Sequence, residues 1–333
     1  SEQNKVLPFE DRRALERIKV QTSIAWQTEE HPSYSPKVSD EVEHVCFYLS
    51  GSIYKVLPSL YEGVIQAFGR VFPDAEALKL ENANVRFATW VGGDMDGNPN
   101  VGGPTIRSTL KRQKTLILRR YKSEIQRLFN ELSHAVHRIS LSEAFEARLN
   151  SYRNTLVDTV SKLPSRYQAM PYRLFLACVS ERLAQSERSS GEGYEGPDEL
   201  ERDLKVLAQS LSENKGAQSG LFLVERLIRR VQTFGFHLAT LDLRQDALVH
   251  RRVVGRLLGR DGFENLSADD RTAILEEALL KDVPERGNPR DPEVLEILDV
   301  MDAIKESRAS HGVNAIGPYI ISMAQGPDDV LAL

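Results

Sequence analysis

Three short apolar runs most constrain what this chain can fold into: Val85 to Val91, Phe236 to Leu243 and Tyr319 to Met323. Each passes into polar residues and then into a helical pattern. That is the order in which strands of a barrel or parallel sheet deliver side chains to a site at their C-terminal ends. The polar stretches are VGGDMDGNPN, LDLRQD and SMAQGPDD. Almost everything between them is helical by period. Asp40 to Phe68 places Val42, Cys46, Leu49, Ile53, Leu57, Leu60 and Val64 at three- and four-residue steps, and Thr105 to Arg138 does the same from Leu110 to Leu132. Further helical patterns cover Asp11 to Gln27, Leu141 to Leu163, Pro171 to Ser186, Asp198 to Leu211, Leu221 to Phe234, Leu248 to Leu258, Ala268 to Leu280 and Pro292 to Ser310. The expected class is mainly α with a few buried parallel strands.

Two segments interrupt the helices. SERSSGEGYEGPDE, Ser186 to Glu199, reads as a mobile surface loop ending at a helix start, and KDVPERGNPRDPE, Lys281 to Glu293, as a second loop with three prolines. A chain of 333 residues with 41% hydrophobic and 27% charged residues has the balance of a soluble globular protein. A net charge of −5 argues against a general nucleic-acid binder. Cys46 and Cys178 lie in apolar helical surroundings, which fits buried thiols in a reducing compartment, and no apolar run is long enough to span a bilayer. The cytoplasm is the expected location, with neither nucleic acid nor membrane as a partner. The chain starts at Ser1 and stops inside PDDVLAL, where Pro327 and two acidic residues announce a new helix, so a piece of a longer protein is expected.

In FATWVGGDMDGNPNV, Asp94, Asp96 and Asn98 have the first spacing of a calcium loop, but Pro99 and Thr105 stand where glycine and glutamate are required. Gly92 and Gly97 begin a phosphate-loop spacing that Asn98 and Pro99 break. The bland account is a tight turn in which glycines supply unusual dihedrals and Asp and Asn side chains cap backbone amides. Its position, closing a strand that carries Phe87 and Trp90, is what points beyond that. Arg244 follows an apolar strand directly, where it serves either as a surface ion-pair partner or as a planar fork that orients phosphate or carboxylate. Gln245 and Asp246 add polarity beside it. His134 and His137 are three apart on an expected helix, a spacing that can bind metal but has no third ligand nearby. Arg229 and Arg230 stand at a helix end, where cations meet the dipole.

Together, FATWVGGDMDGNPNV, TFGFHLATLDLRQDALVH and GPYIISMAQGPDDVLAL resemble three successive signatures of the phosphoenolpyruvate carboxylase family, in that family's order. WQTEEHPSYSPKVSDEVEH is similar to an earlier family stretch, so the resemblance covers essentially the whole chain. It implies a partial α/β (TIM-type) barrel surrounded by long helices, cut from a much longer chain. Residues 1–84 would be a helical segment leading into the barrel, and 85–333 the partial barrel with helical insertions. The implied reaction joins bicarbonate to phosphoenolpyruvate, giving oxaloacetate and phosphate through carboxyphosphate and an enolate, with Mg2+ or Mn2+. The catalytic histidine would lie upstream of Ser1, and the metal carboxylates and a mobile glycine-rich loop beyond Leu333. His31-Pro32-Ser33 is not that histidine motif.

By this resemblance Arg244 binds the substrate's phosphate. Trp90, Gly92, Gly93, Asp94, Asp96, Gly97, Asn98 and Gln245 support the site, and no metal ligand is expected within the chain. Family members are homotetramers. This sequence departs from the family at Met95, Pro32 and Ser33, where arginines are usual, which puts activation by sugar phosphates in doubt. The rival reading is a catalytically silent helical scaffold or regulatory protein of the same descent.

Overall fold

The computed structural model describes residues 9–28, 35–74, 76, 78, 85–188, 190–280 and 291–333. In chain order the helices are α1 (Phe9–Gln27), α2 (Val38–Tyr48), α3 (Tyr54–Val71), α4 (Gly103–Glu131), α5 (Glu143–Thr155), α6 (Val157–Lys162), α7 (Pro171–Arg188), α8 (Pro197–Glu213), α9 (Leu221–Phe234), α10 (Ala247–Leu257), α11 (Ala268–Leu280), α12 (Pro292–His311) and α13 (Pro327–Leu331). The strands are β1 (Ala88–Thr89), β2 (Thr240–Asp246) and β3 (Ile316–Ser322), paired in parallel in the order β1-β2-β3. The protein is thus mainly helical around a small parallel sheet.

Apolar faces of α2 to α5 and α7 to α9 meet in the larger core, where Ile117, Tyr121, Phe145, Tyr172, Phe175 and Phe234 are fully buried. Phe87, just before β1, stacks on Phe234 at 5.3 Å, which ties the sheet to this bundle. A second cluster lies under the sheet. Leu241 and Leu243 of β2 pack there with Ile106 and Leu110 of α4 and Val300 and Ala303 of α12. Because side chains alternate across a strand, the intervening residues point the other way. On that face Trp90, Arg244 and Ile320 are exposed.

All three expected strands are present, parallel and adjacent, but their limits shift. Phe236 to Ala239 is a turn, because Gly235 and Leu238 take left-handed dihedrals (φ 51° and 62°) and Thr240 is the first residue to pair, its N–H donating to the Phe87 carbonyl at 2.9 Å. Arg244, Gln245 and Asp246 therefore belong to β2 rather than following it. β1 shrinks to two residues because β2 starts only opposite Ala88. In β3 the register slips by one residue between Ile316 and Tyr319, and this bulge lets Pro318 sit in an edge strand without an N–H to donate.

The helices also depart from expectation. Asp40 to Phe68 is broken by a π turn at Leu49–Ile53. Leu141 to Leu163 divides at Leu156 into α5 and α6. Helix α4 ends at Glu131, so His134 and His137 lie in the following loop and not on a helix. His134 instead meets the Ser219 hydroxyl at 3.0 Å.

The Ser186 to Glu199 segment is not a free loop. Tyr194 is buried, donates to Asp203 at 2.7 Å and carries the Arg182 guanidinium 3.9 Å over its ring, while its backbone N–H donates to the Ser186 hydroxyl at 2.6 Å. Polar composition hid one aromatic anchor. Arg230 is structural, as expected, but through the Tyr54 carbonyl (3.0 Å) and Glu124 (3.3 Å) rather than a helix end. The proline-rich segment 281–290 and Pro32-Ser33 lie outside the described residues. Both cysteines are free and buried, and burial pushes Cys46 up to about 11 and Cys178 up to about 12. No described helix is long and apolar enough to cross a membrane.

Candidate functional site at the strand ends

The turn after β1 is built by its glycines. Gly92 has φ 93° and Gly97 φ 72°, a region costly for residues with a Cβ. Gly93 serves close approach instead: a Cβ there would stand 2.4 Å from the Asp242 carbonyl oxygen of β2. Asp94 and Asn98 close local turns, Asp94 Oδ1 accepting from the Asp96 N–H at 3.3 Å and Asn98 Oδ1 from the Asn100 N–H at 3.1 Å. The capping account of this motif is therefore correct as far as it goes.

The same turn also docks onto β2. Arg244 N–H donates to the Gly93 carbonyl at 3.0 Å and Met95 N–H to the Arg244 carbonyl at 2.8 Å, extending the parallel pairing one step past β1. Met95 is buried beside Val101 in the apolar cluster under the sheet, which anchors the turn from below. Above it, the Arg244 guanidinium meets Asp94 edge on, Nε to Oδ1 at 2.9 Å and Nη2 to Oδ2 at 2.8 Å. Asp96 Oδ2 lies 3.8 Å from the same Nε. The hydrogen bonds that it donates to Asp94, then the charge of that carboxylate, raise the arginine further above its already high ordinary value, so the group stays cationic.

Of the other expected site residues, Trp90 is 64% exposed on the open face, so it lines that face without bracing the turn by packing. Gln245 is buried, its Oε1 accepting from the Asp246 N–H at 2.8 Å, and it points away from Arg244 as strand alternation requires. Asp246 caps α10 through the Leu248 N–H at 2.7 Å. Two residues before Arg244, Asp242 keeps a buried Oδ1 without a hydrogen bond, and burial raises its carboxyl.

One feature was not anticipated. The loop after β3 is fastened by two buried ion pairs, Arg251 with Asp329 (2.7 Å twice) and Arg271 with Asp328 (2.5 Å), reaching α13 from α10 and α11. Burial alone would raise the Asp329 carboxyl; Arg251 and the Gln325 N–H outweigh it and hold the group below its usual range. The acidic pair of GPDD signals a helix start, and nothing local signals its distant arginines. Among the described residues no group of three or more His, Cys, Asp or Glu side chains could hold a metal ion. Both carboxylate oxygens of Asp94 are already turned to Arg244.

The chain is a mainly helical protein whose small parallel sheet gathers a guanidinium, carboxylates and glycine turns at its C-terminal strand ends. Comparison with known proteins is more specific. The family model for phosphoenolpyruvate carboxylase matches residues 1–333, and the chain belongs to that family. It is 39% identical over 324 residues to the phosphoenolpyruvate carboxylase of Xanthomonas euvesicatoria pv. vesicatoria, covering 95% of this chain and 35% of that protein. The corresponding protein of Burkholderia mallei is 31% identical over 344 residues, with 96% and 33% covered. That of Synechococcus is 29% identical over 336 residues, with 92% and 31% covered. The chain thus spans about a third of the length of the relatives it matches.

Proposed function

We propose that this chain is an internal part of a phosphoenolpyruvate carboxylase, an enzyme that carboxylates phosphoenolpyruvate with bicarbonate to oxaloacetate and phosphate. The observation that carries the reading furthest is Arg244. It is a half-exposed guanidinium at the end of a parallel strand, with donors beyond those that Asp94 occupies. Its role is to hold the phosphate of phosphoenolpyruvate in one orientation while bicarbonate attacks phosphorus, so that carboxyphosphate and an enolate form together. Trp90 and the turn from Gly92 to Asn98 frame that position. Gln245 supports it from beneath the sheet.

Residues 85–333 would form part of an α/β barrel, with 1–84 leading into it, and the open sheet face supports further strands closing over it. A divalent ion, Mg2+ or Mn2+, would stabilise enolate charge when bound. The family resemblance puts its ligands elsewhere in the longer protein. Assembly as a homotetramer in the cytoplasm is part of the same proposal. With Met95 buried among apolar side chains, the turn offers no cation there for a sugar phosphate.

The test is steady-state kinetics of the full-length protein containing this chain, with thermal unfolding alongside. Arg244→Ala should lower kcat/KM by roughly a hundredfold or more, and Arg244→Lys, which keeps the charge but loses the fork, by about tenfold. Both should unfold near the parent temperature. Normal kinetics for the alanine variant would remove Arg244 from the site and favour the silent-scaffold reading.

A further inference from the structure

We propose that Asp94 is a positioning residue: it grips one edge of the Arg244 guanidinium so that the other edge faces the substrate's phosphate. The proposal rests on the reading of Arg244 just given. A guanidinium has two usable forks, a side fork of Nε and one terminal nitrogen and an end fork of the two terminal nitrogens. Asp94 takes the side fork with both oxygens. The end fork is left with its donors in the same plane, and the arginine side chain remains 44% exposed.

The carboxylate is itself fixed. Residues 93 and 95 on either side of Asp94 exchange backbone hydrogen bonds with Arg244, Gly92 and Gly97 set the turn, and Met95 is buried beneath it. Four rotatable side-chain bonds would otherwise let the arginine sweep the open face. Held at both its backbone and its guanidinium, it has one orientation before substrate arrives, and the ordering cost of binding falls accordingly.

A purely structural salt bridge explains this geometry less well. The turn is already tied to β2 through its backbone, so the ion pair is not needed to hold it there. Asp96 provides an internal contrast. Its carboxylate is 3.8 Å from Nε, beyond hydrogen-bond reach, so it acts on the guanidinium through charge without fixing its orientation.

The experiment measures KM for phosphoenolpyruvate and kcat in the full-length protein carrying Asp94→Asn, Asp94→Glu, Asp96→Asn and Arg244→Lys, singly and with Asp94→Asn combined with Arg244→Lys. Asp94→Asn should raise KM about tenfold with kcat within about threefold, because one charged acceptor and half of the fork are lost. Asp94→Glu should recover part of that loss. Asp96→Asn should raise KM clearly less than Asp94→Asn does, because it removes no hydrogen bond to the guanidinium, and an equal rise would overturn the proposal. In the Arg244→Lys background, Asp94→Asn should add little, since the fork it holds is gone.

An unchanged KM in folded Asp94→Asn would overturn the proposal and leave the reading of Arg244 standing. A lowered KM would overturn it too, by showing that Asp94 competes with phosphate. If Arg244→Lys itself leaves KM and kcat unchanged, both fall together. Should Asp94→Asn fail to fold, Asp94→Ser is judged by the same change in KM.

Discussion

At the scale of single residues, the turn after β1 separates two demands that glycine meets. Gly93 is required by space and Gly97 by dihedral angle. In the purified chain, Gly93→Ala should lower stability by about 2–3 kcal/mol, because the new methyl must push the turn off the Asp242 carbonyl and strain two backbone hydrogen bonds. Gly97→Ala, with open space around it, should cost about 1 kcal/mol. Urea midpoints of the two variants decide; a larger loss at Gly97 would contradict this division. The residues of the turn and Arg244 were each legible in the sequence, because glycine, Asp and Asn at close spacing have few uses. Their pairing was not. Residues 94 and 244 are joined by strand register, which no local pattern reports. The same limit hid Arg251 and Arg271 from Asp329 and Asp328.

At the scale of elements, apolar periodicity located the long helices and all three strands, and it failed where a side chain is buried without belonging to a strand. Phe236, Leu238 and Ala239 are apolar and buried, yet they sit in a turn against the bundle, and a bulky residue such as Leu238 gives no sign of a left-handed backbone. Helix α13 is an element whose position depends on charge. Its five residues cannot hold themselves in place, and Arg251 and Arg271 do so through Asp329 and Asp328. Arg251→Met should therefore destabilise the chain by about 3–5 kcal/mol, since it strands a buried carboxylate. Pairing it with Asp329→Leu should restore part of that loss. Urea unfolding of the single and double variants measures both, and a double variant weaker than the sum of its singles would exclude the argument.

At the scale of the whole molecule, the sheet has one face on α4 and α12 and the other open, and the family's relatives are about three times as long as this chain. Purified chain 1–333 should release no phosphate from phosphoenolpyruvate with bicarbonate and Mg2+, because the family resemblance puts the catalytic histidine and the metal carboxylates outside it. Turnover that persists through repurification would show that the site had been placed wrongly. The outer edge of β3 has a different significance. Among the described residues β3 pairs on one side only, with β2, and Ile320 on it is exposed while Pro318 has no N–H to offer on either side. An unpaired strand edge is in general a template on which another strand can add, and a proline within it removes one donor from that template.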